Sequence, residues 1–157
     1  MTEKIMNMNY REYNTADDLP AEYRELLGMA AKATENSYAP YSNFHVGAAV
    51  KMSGGKTVTG SNQENAAYPS GMCAERVALF HAHHSFPKET VKAIAIIAKD
   101  KSGNLTPDLT VPCAACLQVM AESEKRGNSP ISIIIGSATK VLVMDSVGNL
   151  LPFSFGK

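Results

Sequence analysis

Residues 73–100 read CAERVALFHAHHSFPKETVKAIAIIAKD. The first twelve, 73–84, have helical character, with Val77, Ala78, Leu79 and Phe80 as the apolar positions. The last ten, 91–100, form a short apolar run without alternation, which reads as a strand buried on both faces. A helix leading into a two-sided buried strand belongs to a sheet covered by helices. The rest of the chain repeats the theme. AEYRELLGMAAKATENSY, after Pro20, places Tyr23, Leu26, Leu27, Ala30 and Ala31 near one helical face. FHVGAAVKM at 44–52, SGGK at 53–56 and TVTGSN at 57–62 read as strand, turn and strand. VPCAACLQVMAESEKRG becomes helical at Pro112, taken as a first-turn residue, and stops at Gly127. ISIIIGSA and VLVMDSV add two apolar strands. The expected fold is a three-layer α/β/α domain with a mixed sheet of about five strands. Residues 1–18 lack an apolar period and read as a loosely ordered lead-in to one domain spanning 19–157.

Composition narrows the function classes. The 157 residues make one domain's worth of core. Lys+Arg and Asp+Glu both number 15, so no basic excess marks a nucleic-acid partner. The longest apolar run, AIAIIA at 93–98, is far below the roughly 20 residues that span a bilayer. The polar N-terminus has no secretory apolar region, so the expected location is cytoplasmic. Three cysteines, an odd number, argue against a disulfide framework.

Those cysteines carry the chemistry. Cys113 and Cys116 are spaced i, i+3 at a helix start, and Cys73 stands at another. Helix N-termini favour thiolate, the form that binds zinc. Three protein ligands leave one tetrahedral position open, the pattern of a catalytic site. Spacing alone leaves three readings: a catalytic site, a redox pair, or part of a structural site completed by His45, His81, His83 or His84. The last three histidines are expected on a solvated helix end. Glu75 is either a proton carrier beside the metal or a plain first-turn glutamate.

CAER at 73–76 with PCAAC at 112–116 resembles the C-x-E…P-C-x-x-C signature of the zinc-dependent cytidine deaminases. SNFHVGAAV at 42–50, GSNQENAAY at 60–68 and LLPFSF at 150–155 are similar to segments of the small three-cysteine branch. The resemblance implies one Zn²⁺ per chain on Cys73, Cys113 and Cys116, with Glu75 shuttling protons. It implies hydrolytic deamination of cytidine and 2′-deoxycytidine to the uridines, a pyrimidine-salvage reaction. Asn62 and Glu64 would bind the ribose, Phe44 would pack on the base, and the backbone near Ala74 would meet the pyrimidine edge. A carboxylate at 64 would also repel a 5′-phosphate. Arg76 would donate to ligand sulfurs, offsetting the net −1 of three thiolates on Zn²⁺. The branch implies a homotetramer, with Phe155 near a neighbour's substrate and Tyr68 at a shared boundary. Two positions depart from the usual P-C-G-x-C-R-Q: Ala114 replaces a glycine and Leu117 an arginine. Blasticidin S, a nucleotide or polynucleotide cytosine are alternative substrates, and a non-enzymatic zinc-stapled domain is the other class.

Overall fold

The computed structural model describes residues 1–156. Six strands form one sheet: β1 (Arg11–Tyr13), β2 (His45–Met52), β3 (Thr57–Ser61), β4 (Val91–Lys99), β5 (Ser132–Gly136) and β6 (Val141–Met144). Three helices cover it: α1 (Ala21–Ala33), α2 (Ala74–Ser85) and α3 (Ala114–Gly127). The spatial order is β1-β6-β5-β4-β2-β3. Only β4 and β5 pair in parallel, so the sheet is mixed.

Strand β4 shows why the apolar run had no alternation. Ile94, Ile96 and Ala98 face one core, with Ala78 and Leu79 of α2 and Cys116 and Met120 of α3. Ala93, Ala95 and Ile97 face the other core, with Leu26, Leu27 and Ala30 of α1. Both faces are dry, so each strand position can be apolar. The result is the expected three layers, with α1 on one side and α2 and α3 on the other.

Two glycines let the layers close. A Cβ on Gly47 of β2 would lie 2.0 Å from the Ala30 carbonyl oxygen of α1. One on Gly60 of β3 would lie 2.5 Å from Ala78 N and 2.8 Å from Ala74 O of α2. Only a residue without a side chain fits at these crossings.

The differences from the sequence reading are local. The sheet has six strands rather than about five, because the stretch read as a lead-in contains β1. β1 pairs antiparallel with β6, and Arg11 grips Asp145 with both guanidinium Nη atoms. Three residues are too few to show a period, and their partners lie about 130 positions away along the chain. Pro112 precedes the α3 N-cap, Cys113, rather than occupying its first turn. Gly127 is the last helical residue of α3, and Asn128, at φ 43°, makes the left-handed exit. Asn tolerates that region because its short amide can bond locally. His83 is half-buried and meets Ser123 Oγ at 2.9 Å, tying α2 to α3 rather than facing solvent. Among the described residues, no helix is long and apolar enough to cross a membrane.

Candidate active site

Both helices on the thiol side begin at a cysteine. Cys73 is the N-cap of α2 and Cys113 the N-cap of α3, both with extended backbone. Neither sulfur caps its own helix, so both are free for another partner. Cys116, one turn into α3, is buried. The three Sγ atoms lie within 4.8 Å of one another, and Cys73 and Cys113 are 4.0 Å apart. Three sulfurs on a tetrahedral zinc, at about 2.3 Å each, would be separated by about 3.8 Å. The cluster therefore fits a Zn²⁺ ion with little adjustment. Among the described residues no histidine or carboxylate joins it.

The surrounding charges are asymmetric. Arg76 Nη2 donates to Cys73 Sγ at 3.7 Å. The Cys73 thiol is pushed down to about 5, by its hydrogen bond with Cys116 first, with Arg76 and Cys113 adding to it against burial. Cys116 moves the opposite way, because the Cys73 thiolate accepts its hydrogen and because it is buried. Among the three thiols, Cys73 is thus the one most disposed to be a thiolate and Cys116 the one that most resists losing its hydrogen. Glu75, the second residue of α2, is only 4% exposed. Burial raises its carboxyl above the ordinary 4.5, and the nearby Cys73 charge adds to this.

A cavity of about 670 Å³ opens beside Cys73 and Arg76, lined also by Tyr41, Asn62, Glu64 and Tyr68. That volume suits a small-molecule ligand. Glu64 accepts backbone N–H groups from Tyr41 at 2.9 Å and Ser42 at 3.3 Å. Its carboxyl is held below its ordinary value, by the Ser42 hydroxyl first, with those amides adding to it against desolvation. Asn62 bonds the backbone on both sides of His45: Nδ2 donates to Phe44 O and Oδ1 accepts from Val46 N, both at 2.8 Å.

The sequence model of the cytidine and deoxycytidylate deaminase zinc-binding region matches residues 20–128, both helix starts included. The chain belongs to this deaminase family. A cytidine deaminase of Halalkalibacterium halodurans is 38% identical over 130 residues, covering 83% of this chain and 91% of the relative. One of Sporosarcina psychrophila is 36% identical, covering 87% and 93%. The crystal structure of cytidine deaminase from Burkholderia pseudomallei superposes with a TM-score of 0.70 at 36% identity, covering 87% of this chain and 100% of that one. The family and the thiol cluster agree on one Zn²⁺ per chain, and this deaminase is a zinc-dependent hydrolase.

The structure gathers Asn62, Glu64, Tyr68, Cys73 and Arg76 around one cavity, with Cys113 and Cys116 at the thiol cluster. Ala74 is fully buried at the first turn of α2, where backbone N–H groups have no intrahelical partner. Phe44 sits just before β2, 38% exposed. Phe155 does not reach this cavity within one chain. Gln118 of α3 holds its peptide, donating to Phe155 O at 3.1 Å and accepting from Phe155 N at 3.0 Å. Ala114 opens α3 with ordinary helical backbone, so the glycine departure costs no strain. Leu117 is buried in the core with α2, so the arginine departure became a packing residue. The sequence reading missed Ser37, Tyr41 and Ser42. Their signal was the loop at 37–43, where Ser37, Ser42 and Asn43 flank Pro40 and supply the hydroxyls and amide that tie turns.

Proposed function

We propose that this enzyme hydrolytically deaminates cytidine and 2′-deoxycytidine to the corresponding uridines, in cytoplasmic pyrimidine salvage. One observation carries the reading: three thiols converge at two helix N-termini beside a buried glutamate, and one of them, Cys73, lines a cavity of nucleoside size. Cys73, Cys113 and Cys116 would hold the Zn²⁺, which would supply Lewis acidity toward the attacking water. Glu75 would take a proton from the water that adds to C4, deliver one to N3 of the pyrimidine and pass one to the amino group, so that the C4–N bond breaks and ammonia leaves as the C4–O bond is kept. Burial raises its pKa, the direction that favours a carboxyl able to carry a proton. Arg76 spreads the negative charge of the ligand sulfurs through its bond to Cys73.

Asn62 and Glu64 are assigned to the sugar hydroxyls, Phe44 to the base, and the backbone at Ala74 to the pyrimidine edge. A homotetramer fits the large side chains that one chain leaves bare, Tyr68 at 91% and Phe155 at 88% exposed. In that assembly Phe155 would meet a neighbour's substrate, with Tyr68 at the shared boundary. A balance of 15 basic and 15 acidic residues disfavours a polynucleotide substrate. Residues 19–157 are taken as one catalytic domain.

The test is an ultraviolet assay on cytidine, 2′-deoxycytidine, cytidine monophosphate and blasticidin S, with zinc content measured on the same sample. Turnover of the first two nucleosides with one zinc per chain supports the proposal. Turnover of blasticidin S with cytidine inert would replace it. A zinc-loaded protein inert on all four would point to a structural staple.

A further inference from the structure

Asn62 follows the end of β3 and lines the cavity beside Glu64. Its side-chain orientation is dictated by backbone groups that have only one role each. Val46 N–H can only donate, so the atom 2.8 Å from it is Oδ1. Phe44 C=O can only accept, so the atom 2.8 Å from it is Nδ2. A third partner completes the set. Ser37 Oγ lies 2.6 Å from Oδ1, an oxygen without hydrogen, so Ser37 donates. Both lone pairs of Oδ1 are then in use. Of the two N–H bonds on Nδ2, one serves Phe44 and one remains.

Ser37 is itself well braced. Its N–H donates to Thr34 O at 3.1 Å, and the next residue, Tyr38, donates to Asn62 O at 3.0 Å. Glu64 is likewise half committed, with Oε2 receiving the Tyr41 and Ser42 amides. The pair that lines the cavity therefore keeps one N–H donor on Asn62 and spare acceptor capacity on the Glu64 carboxylate beyond the two amides and the Ser42 hydroxyl. A hydroxyl, which donates and accepts at once, satisfies both groups.

We infer that Ser37 is a positioning residue for sugar recognition: its hydroxyl locks the Asn62 amide so that the spare N–H is held as a donor to a sugar hydroxyl. The inference rests on the nucleoside reading above and deepens it. Removing the hydroxyl leaves Oδ1 with one partner. The amide then keeps only its two backbone bonds, its plane is held less tightly, and the hydroxyl contact loosens while the zinc site and Glu75 are untouched.

Ser37→Ala and Ser37→Thr are compared with the wild-type enzyme on cytidine and on 2′,3′-dideoxycytidine, which lacks the 2′- and 3′-hydroxyls, the contacts assigned to the Asn62 N–H. Zinc content and melting temperature are measured on each protein. For Ser37→Ala, kcat/KM on cytidine should fall about three- to tenfold, the range of one neutral hydrogen bond, mostly through KM. On the dideoxy analogue it should fall less than twofold. Ser37→Thr, which keeps the hydroxyl, should return cytidine turnover to within twofold of wild type. An equal loss on both substrates, or no loss on cytidine, overturns the inference while leaving the nucleoside reading standing. A wild-type enzyme inert on cytidine overturns that reading and the inference together.

Discussion

Replacing Gly60 by alanine puts a methyl group where β3 passes the first turns of α2. The new Cβ would lie 2.5 Å from Ala78 N, 2.8 Å from Ala74 O and 3.0 Å from Ala78 Cα. All three are backbone atoms, so no side chain can swing aside. Ordinary van der Waals separation is about 3.5 Å, and α2 must withdraw by about 1 Å. Ala74 directly follows Cys73, so the withdrawal carries a zinc ligand with it. Metal–ligand distances tolerate only about 0.2 Å. Two losses follow. Overpacking costs about 1–3 kcal/mol, a fall in Tm of roughly 2–12 °C for a chain this long. Zinc affinity drops as well, so the deficit in Tm should be larger with zinc present than after chelation. Gly28→Ala is the control: its Cβ meets nothing within 4 Å, and alanine inside α1 should stabilise by roughly 0.5–1 kcal/mol. The assay is a thermal melt with and without chelator, alongside zinc content. A Gly60→Ala protein melting with the wild type and holding full zinc would refute the reasoning.

Glu75→Gln should keep one zinc and a near-native melt while turnover falls by roughly 10²–10⁴ or more; undiminished turnover would take Glu75 out of the proton path. Stripping zinc should destabilise the chain by about 4 kcal/mol relative to free zinc at a thousandfold above Kd, a drop in Tm of roughly 8–16 °C. Restoring zinc at pH 7 should release a proton, since Cys116 keeps its hydrogen in the metal-free triad; a pH indicator in weak buffer reads this directly. Burial, with Arg126 nearby, lowers the His83 pKa below the ordinary 6.5. The unfolded chain therefore binds the proton more readily, and His83's contribution is present above pH 6.5 and is lost as pH falls toward its folded value. Denaturant titrations should show that slope in the wild type and a flatter one in His83→Gln. Deleting residues 1–13 bares the edge of β6, and concentration-dependent association by light scattering is the expected consequence.

The residues that bind metal were legible because their chemistry is rare and their neighbours are near in sequence. Cys113 and Cys116 declare themselves by spacing, and the C-x-E step links Cys73 to Glu75. The layered fold was legible for the same kind of reason: β4 is apolar at nearly every position, and only a sheet covered on both sides accepts such a strand. What lay out of reach depends on contacts between distant residues. β1 is three residues long and exists through its pairing with β6 and the grip of Arg11 on Asp145. His83 looked like one of three solvated histidines until α3 brought Ser123 against it. Ser37 carries no motif, and its meaning comes from lying 2.6 Å from the Asn62 amide.

The sequence by itself determined the layers, the two helix starts and the three sulfurs, because periodicity and ligand spacing are properties of neighbouring residues. The tertiary structure alone decided that the sulfurs converge within 4.8 Å, that Glu75 is buried beside them, and that Asn62 has one N–H to spare. Convergence, burial and the saturation of a polar group each depend on chain segments far apart in sequence, and only the closed fold sets them side by side.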